Sequence, residues 1–182
     1  MKSITRLLTI LLIFNYGIGV CHAQDLKSFN LKDFKVDYPK DYILESDVQY
    51  IDGAILVYLF LSGISNGVLE SCSITYTHGQ NPYVEALATY ENLKEYSLEM
   101  LNNIILQYGE QNVKHGVFTK TTINQNTAAK VEFSCKIHDG YLYGSISSYV
   151  EDSHLVSLIK MAQKRENIET GNLKLIESSI SF

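Results

Sequence analysis

The sequence predicts an α+β fold, an α/β/α sandwich in which helices cover a mainly antiparallel sheet, with one long mid-chain helix and another at the C-terminus. Three observations carry this expectation. Residues 34–76 hold short runs in which apolar side chains alternate or crowd together between turn residues. Residues 90–108 switch to apolar spacings of three and four. Residues 116–161 return to long alternating runs joined by tight polar turns, and a helical segment closes the chain.

Residues 24–33 read as a loose polar lead-in with a short turn. Phe34-Lys35-Val36-Asp37-Tyr38 alternates with period two, as a half-buried strand requires, and Pro39 ends it. Tyr42-Ile43-Leu44 resumes the extended chain, and Asp52-Gly53 is a strong turn signal. The run 54–61, AILVYLFL, is apolar almost without a break and predicts a central strand buried on both faces. A turn region spans 62–67, a strand 69–76 and a loop 77–82. Within 90–108, Leu93, Ser97, Met100, Leu101, Ile104 and Tyr108 share one helical face. Thr89 suits the N-cap, Glu91 the first turn and Gly109 the stop, while 82–88 is an irregular or helical prelude.

The next predicted strand is 116–123, followed by the turn Asn124-Gln125-Asn126. Residues 127–137 form the clearest amphipathic strand. Ala129, Val131, Phe133, Cys135 and Ile137 point one way, and Lys130, Glu132, Ser134 and Lys136 the other. His138-Asp139-Gly140 makes a hairpin loop, 141–150 returns, and a last strand covers 154–161 after Glu151-Asp152-Ser153. Residues 166–179 read as one helix in spite of Gly171, with Ile168, Leu175 and Ile176 available for docking.

The first twenty-three residues have the layout of a secretory signal peptide. Lys2 and Arg6 are followed by a short apolar run, 7–14, well below the ~20 residues that span a bilayer. Cys21-His22-Ala23 then offers small residues three and one positions before a cut. The expected product is a single domain, 24–182, exported to the periplasm or beyond. Lipid anchoring at Cys21 is the weaker reading, because the branched Val20 precedes that cysteine where a small residue is usual.

The leader takes two of the 15 basic residues and none of the 20 acids, leaving 13 against 20, a net charge of −7. So acidic a chain has no electrostatic reason to bind nucleic acid or an anionic membrane surface. Cys72 and Cys135 both fall on the apolar side of a strand alternation. An even pair in an exported protein suggests a disulfide, yet each would equally serve as a small core residue.

No catalytic motif emerges. His78, His115, His138 and His154 are too far apart for metal-site spacing, so neither metal nor cofactor is expected. Glu151-Asp152 lies in a turn and Glu166 with Glu169 on a surface helix, where solvated charge explains them. Ser147-Ser148 and Ser178-Ser179 lack nucleophile-elbow glycines. The candidate binding feature is Tyr141, Tyr143 and Tyr149, which period two places on one side of a strand with Ser145 and Ser147, beside Lys130 and Glu132. Such a strip either faces outward as a recognition surface or lies beneath the terminal helix.

FKVDYPKDYIL, NLKEYSLEMLNNII, TAAKVEFSCKIHDGYLYGSISSYV and LIESSISF resemble the opening strand, mid-chain helix, central hairpin and terminal helix of PsbP-like and DcrB-like domains. That fold is shared with a yeast Ran-binding nuclear import factor. The resemblance spans the chain after the leader. One departure is Tyr42, which stands where a Trp is common; this chain has no Trp. The resemblance implies a non-enzymatic accessory or binding protein and carries over no catalytic residues. The expected function is therefore an exported accessory domain that engages a protein or envelope component through its sheet face. A small-ligand carrier with a cleft between helix and sheet is the alternative.

Overall fold

A computed structural model describes residues 25–51, 54–78 and 82–182. The leader and the Asp52-Gly53 turn fall outside these residues. Strands β1 (Leu26–Leu31) and β2 (Phe34–Pro39) pair as a separate two-stranded hairpin. The expected loose lead-in is therefore a strand. Its side chains are largely exposed, so burial left no alternating pattern to read, and its order comes from the ladder with β2.

The main sheet has two antiparallel meanders. The first is β3 (Ile43–Ile51), β4 (Ala54–Ser65) and β5 (Val68–His78). The second is β8 (Asn126–Ile137), β9 (Gly140–Glu151) and β10 (His154–Ala162). They join through β5 and β10, giving the order β3-β4-β5-β10-β9-β8-β6, with β6 (Val113–His115) and β7 (Thr119–Ile123) both pairing β8. The strand expected over 116–123 is thus shortened to Thr119–Ile123, with 116–118 separating it from β6. Helices α1 (Pro82–Ala86) and α2 (Tyr90–Tyr108) cross from one meander to the other. The expected terminal helix is also divided. A 3-10 turn, Arg165–Glu169, precedes α3 (Gly171–Ser179), because Gly171 takes φ +56°, outside the right-handed helical region.

Helix α2 forms as its sequence requires. The Thr89 side chain accepts from the Asn92 N–H, and Gly109 closes the helix at φ +86° with its N–H on the Ile105 carbonyl at 2.8 Å. Leu93, Leu101 and Ile104 go down onto one face of β8 and β9, against Val131, Phe133 and Ile146. The small Ser97 beside them is satisfied by the sheet: its hydroxyl donates to Ser148 at 2.8 Å, and Ser148 bonds Ser157 at 2.9 Å. The predicted division of β8 into an apolar and a polar side holds.

On the opposite face lie α3 and the β1–β2 hairpin. Leu173, Ile176, Phe34 and Val36 pack over Val57, Leu61, Ile74 and Leu158. The C-terminus is tied in by a bridge between Ser181 and Lys35, and Phe182 stacks on His154 at 4.9 Å.

The two layers also decide the cysteines. Cys72 on β5 belongs to the core under α3, and Cys135 on β8 to the core under α2. With β10 and β9 between them, three strand spacings put their strands about 14 Å apart, and the register sets Cys72 level with Glu132 and not with Cys135. A bridge needs Cα atoms within ~7 Å. Both are free, buried thiols and the suggested disulfide does not form.

Candidate functional site

The register of β9 puts Tyr141, Tyr143, Ser145, Ser147 and Tyr149 on one face, as alternation predicts. That face is roofed. Tyr149 is fully buried in the cluster that contains Leu173 and Ile176, so it is a core residue and no part of an outward strip. Burial pushes its phenol pKa far up, and its hydroxyl has no hydrogen-bond partner among the described residues. Tyr141 remains exposed and Tyr143 half-buried, their ring centroids 6.3 Å apart.

Tyr143 and Glu132 line an open cleft of about 370 Å³ between the sheet and the 3-10 turn. Two of its carboxylates, Glu132 and Glu169, are engaged with cations. Arg165 reaches Glu132 at 2.8 Å on the rim, and Lys130 reaches Glu169 at 2.7 Å further in. Lys160, with no exposed side-chain surface, contacts Glu169 at 3.2 Å and Glu177 at 3.0 Å. Burial pushes the Glu169 carboxyl upward, but the Lys130 hydrogen bond and the Lys160 and Lys130 charges hold it below the usual carboxylate range. This ladder from rim to interior fastens the 3-10 turn and α3 to the sheet. Lys130 and Glu132 therefore have structural partners already.

A second buried network does the same at the other end of the turn. Glu70 accepts from the Tyr42 hydroxyl and, at 2.5 Å, from Asn167, while Asn172 donates to the Tyr42 oxygen at 3.3 Å. The Tyr42 ring lies flat where a Gly63 side chain would project.

The other face of the sheet is covered unequally. Helix α2 packs on β8 and β9, and beyond β10 the first meander bares its side chains. On β4, Ile55, Val57, Leu59 and Leu61 are buried beneath α3, but Tyr58 (40%), Phe60 (42%) and Ile64 (69%) are exposed. Leu69 on β5 (46%) is cross-strand to Ile64, and Ile43 on β3 (65%) is cross-strand to Ser62. The run AILVYLFL is thus buried on one face only, correcting the expectation of a doubly buried strand.

A shallow groove of about 320 Å³ follows this row, with Ser73 and Thr75 on one flank and Glu45 and Asp47 on the other. The register sets Asp47 directly opposite Tyr58 and Glu45 opposite Phe60. From the helix side, Tyr96 stands beside Tyr58 and Glu99, its phenol pushed up by burial. Reading β4 alone missed this face. Its partners carried the signal: the same-face residues of β3 and β5 include Glu45, Asp47, Ser73 and Thr75, a composition that cannot make a second core.

Among the described residues, no three His, Cys, Asp or Glu side chains come together in a way that could hold a metal ion. No described helix is long and apolar enough to cross a membrane.

The architecture is that of PsbP. The solution structure of cyanobacterial PsbP from Synechocystis aligns with 90% of this chain and 96% of its own length at a TM-score of 0.52 and 10% identity. A Pseudomonas aeruginosa protein of unknown function aligns over 78% of this chain and 85% of its own, with 10% identity and a TM-score of 0.34. No protein-family model and no curated protein matches the sequence.

Proposed function

We propose that this PsbP-like fold serves as an exported, non-enzymatic accessory domain that binds a protein partner through the bare half of its sheet. The observation that carries the reading is the row Tyr58, Phe60, Ile64 and Leu69, with Ile43 beside it, all exposed on one continuous face of three paired strands. Scattered exposed apolar residues are ordinary on a protein surface, but a contiguous patch on a rigid sheet is not. Aromatic side chains supply large contact area with little loss of rotamer freedom, which suits them to the centre of an interface. The accessory role implied by the resemblance agrees with this reading. The cleft beside Tyr143 supports a carrier less well, because two of its three carboxylates, Glu132 and Glu169, are already paired with arginine and lysine.

Site-specific photo-crosslinking in the producing cells tests the proposal. A crosslinking amino acid at Phe60 is expected to trap one discrete protein, and the same group at Leu106, an exposed position on α2, to trap none. Equal products at both positions, or none at Phe60, would overturn it.

A further inference from the structure

We propose that the segment docking on this face is extended and basic: a strand-like stretch of the partner with lysine or arginine at every second position. The inference rests on the docking reading above and adds the chemistry of the occupant. Fifteen described positions of β3, β4 and β5 point to the bare face. They are Ile43, Glu45, Asp47 and Gln49 on β3, the even-numbered residues 54–64 on β4, and the odd-numbered residues 69–77 on β5. None is lysine or arginine. Glu45 and Asp47 have no cationic partner among the described residues; Asp47 only accepts an amide hydrogen bond from Gln49 at 2.8 Å. The opposite face behaves differently, since Glu132, Glu169 and Glu177 each meet a lysine or arginine within 3.2 Å.

The placement of the two free carboxylates then matters. Directly opposed side chains in an antiparallel pair have Cβ atoms about 5 Å apart. Each carboxylate accordingly stands beside one aromatic ring, Asp47 with Tyr58 and Glu45 with Phe60. A cation laid across such a ring lies within about 6 Å of its centroid and can also pair with the neighbouring carboxylate. The aromatic–acid unit repeats after two residues, the period of an extended chain, so an alternating basic segment matches both units at once. Glu99 adds negative charge from the α2 side, next to Tyr96. A second copy of this chain is a poor occupant, because it would bring Glu45 and Asp47 against their own equivalents.

The test uses the purified protein and two synthetic nonapeptides, one alternating lysine with phenylalanine and one alternating glutamate with phenylalanine. Binding is read by fluorescence anisotropy, and its position by chemical-shift changes. The lysine peptide is expected to bind about tenfold more tightly, to shift resonances of Tyr58 and Phe60, and to weaken as salt shortens the screening length. The double variant Glu45→Gln/Asp47→Asn should lose that preference while keeping the unfolding midpoint of the parent. Equal binding of both peptides at Phe60, or an undiminished preference in the double variant, overturns the basic occupant and leaves the docking face standing. If neither peptide binds and the crosslinker at Phe60 traps nothing, both readings fall together.

Discussion

Lys160 Nζ lies 3.0 Å from Glu177 Oε2, joining the middle of β10 to α3 where the lysine side chain has no exposed surface and the glutamate almost none. Ions withdrawn this far from water are held by geometry; removing Glu177 leaves the buried Lys160 with only the part-exposed Glu169 at 3.2 Å. Glu177→Ala is expected to lower unfolding free energy by about 3 kcal/mol in urea titrations, within the range for broken buried pairs. The double variant Lys160→Met/Glu177→Leu should recover most of that loss, since no buried charge is stranded. A double variant as unstable as the sum of Lys160→Met and Glu177→Leu alone would show that the two residues act independently and that no stranded charge causes the loss.

The two cysteines give a second expectation. Burial pushes the Cys72 thiol up to about 12 and the Cys135 thiol up to about 11, so neither forms appreciable thiolate near neutral pH. Folded protein at pH 8 should resist iodoacetamide at both positions, and both should react fully in denaturant. Adding a reductant should leave the unfolding midpoint unchanged, as expected for thiols on opposite faces of the sheet. A reductant-dependent midpoint would contradict the register.

The alternation of β8 made one face of the sheet legible, because Val131, Phe133 and Cys135 are buried and Glu132 and Lys136 are exposed. Helix α2 was legible from Thr89 to Gly109 for a local reason: cap, apolar stripe and stop all lie within one segment. What local pattern could not show was which elements roof which strands. Tyr149 and Tyr58 look alike in sequence, each a tyrosine in an apolar strand. One lies under α3 and the other lies past the reach of α2, a difference set by the strand order β5-β10-β9 and not by either neighbourhood. The same holds for Cys72 and Cys135, whose separation follows from the long connection through α1 and α2.

Gly63 offers a test of packing at the other end of the sheet. A Cβ placed there would lie 2.3 Å from the Tyr42 ring, and that ring is held by Glu70 and Asn172 through its hydroxyl. The tyrosine cannot move aside without giving up a buried hydrogen bond. Gly63→Ala is expected to cost about 1–3 kcal/mol, the usual penalty for overpacking. Adding Tyr42→Ala to Gly63→Ala should cost less than Tyr42→Ala costs in the parent, since the new methyl group fills part of the space the ring leaves. Thermal unfolding of the four proteins in this cycle measures the coupling.

Glu169 sets the acid limb of stability. Its carboxyl is held below the ordinary range by Lys130 and Lys160 against the opposing effect of burial, so the folded protein binds its proton less readily than the unfolded chain does. A depressed carboxyl contributes stability that is fully present above the unfolded value, about 4.3 for glutamate, and is lost as pH falls through the lower folded value. Glu169→Gln should therefore be less stable than the parent at pH 7 and show a shallower decline of stability below about pH 4. Lys130→Ala should raise the folded value toward the ordinary one and flatten the decline in the same direction, because it removes the shorter of the two contacts, at 2.7 Å. Urea midpoints of the three proteins between pH 3 and 7 measure this, and parallel curves would show that Glu169 titrates alike in the folded and unfolded chains.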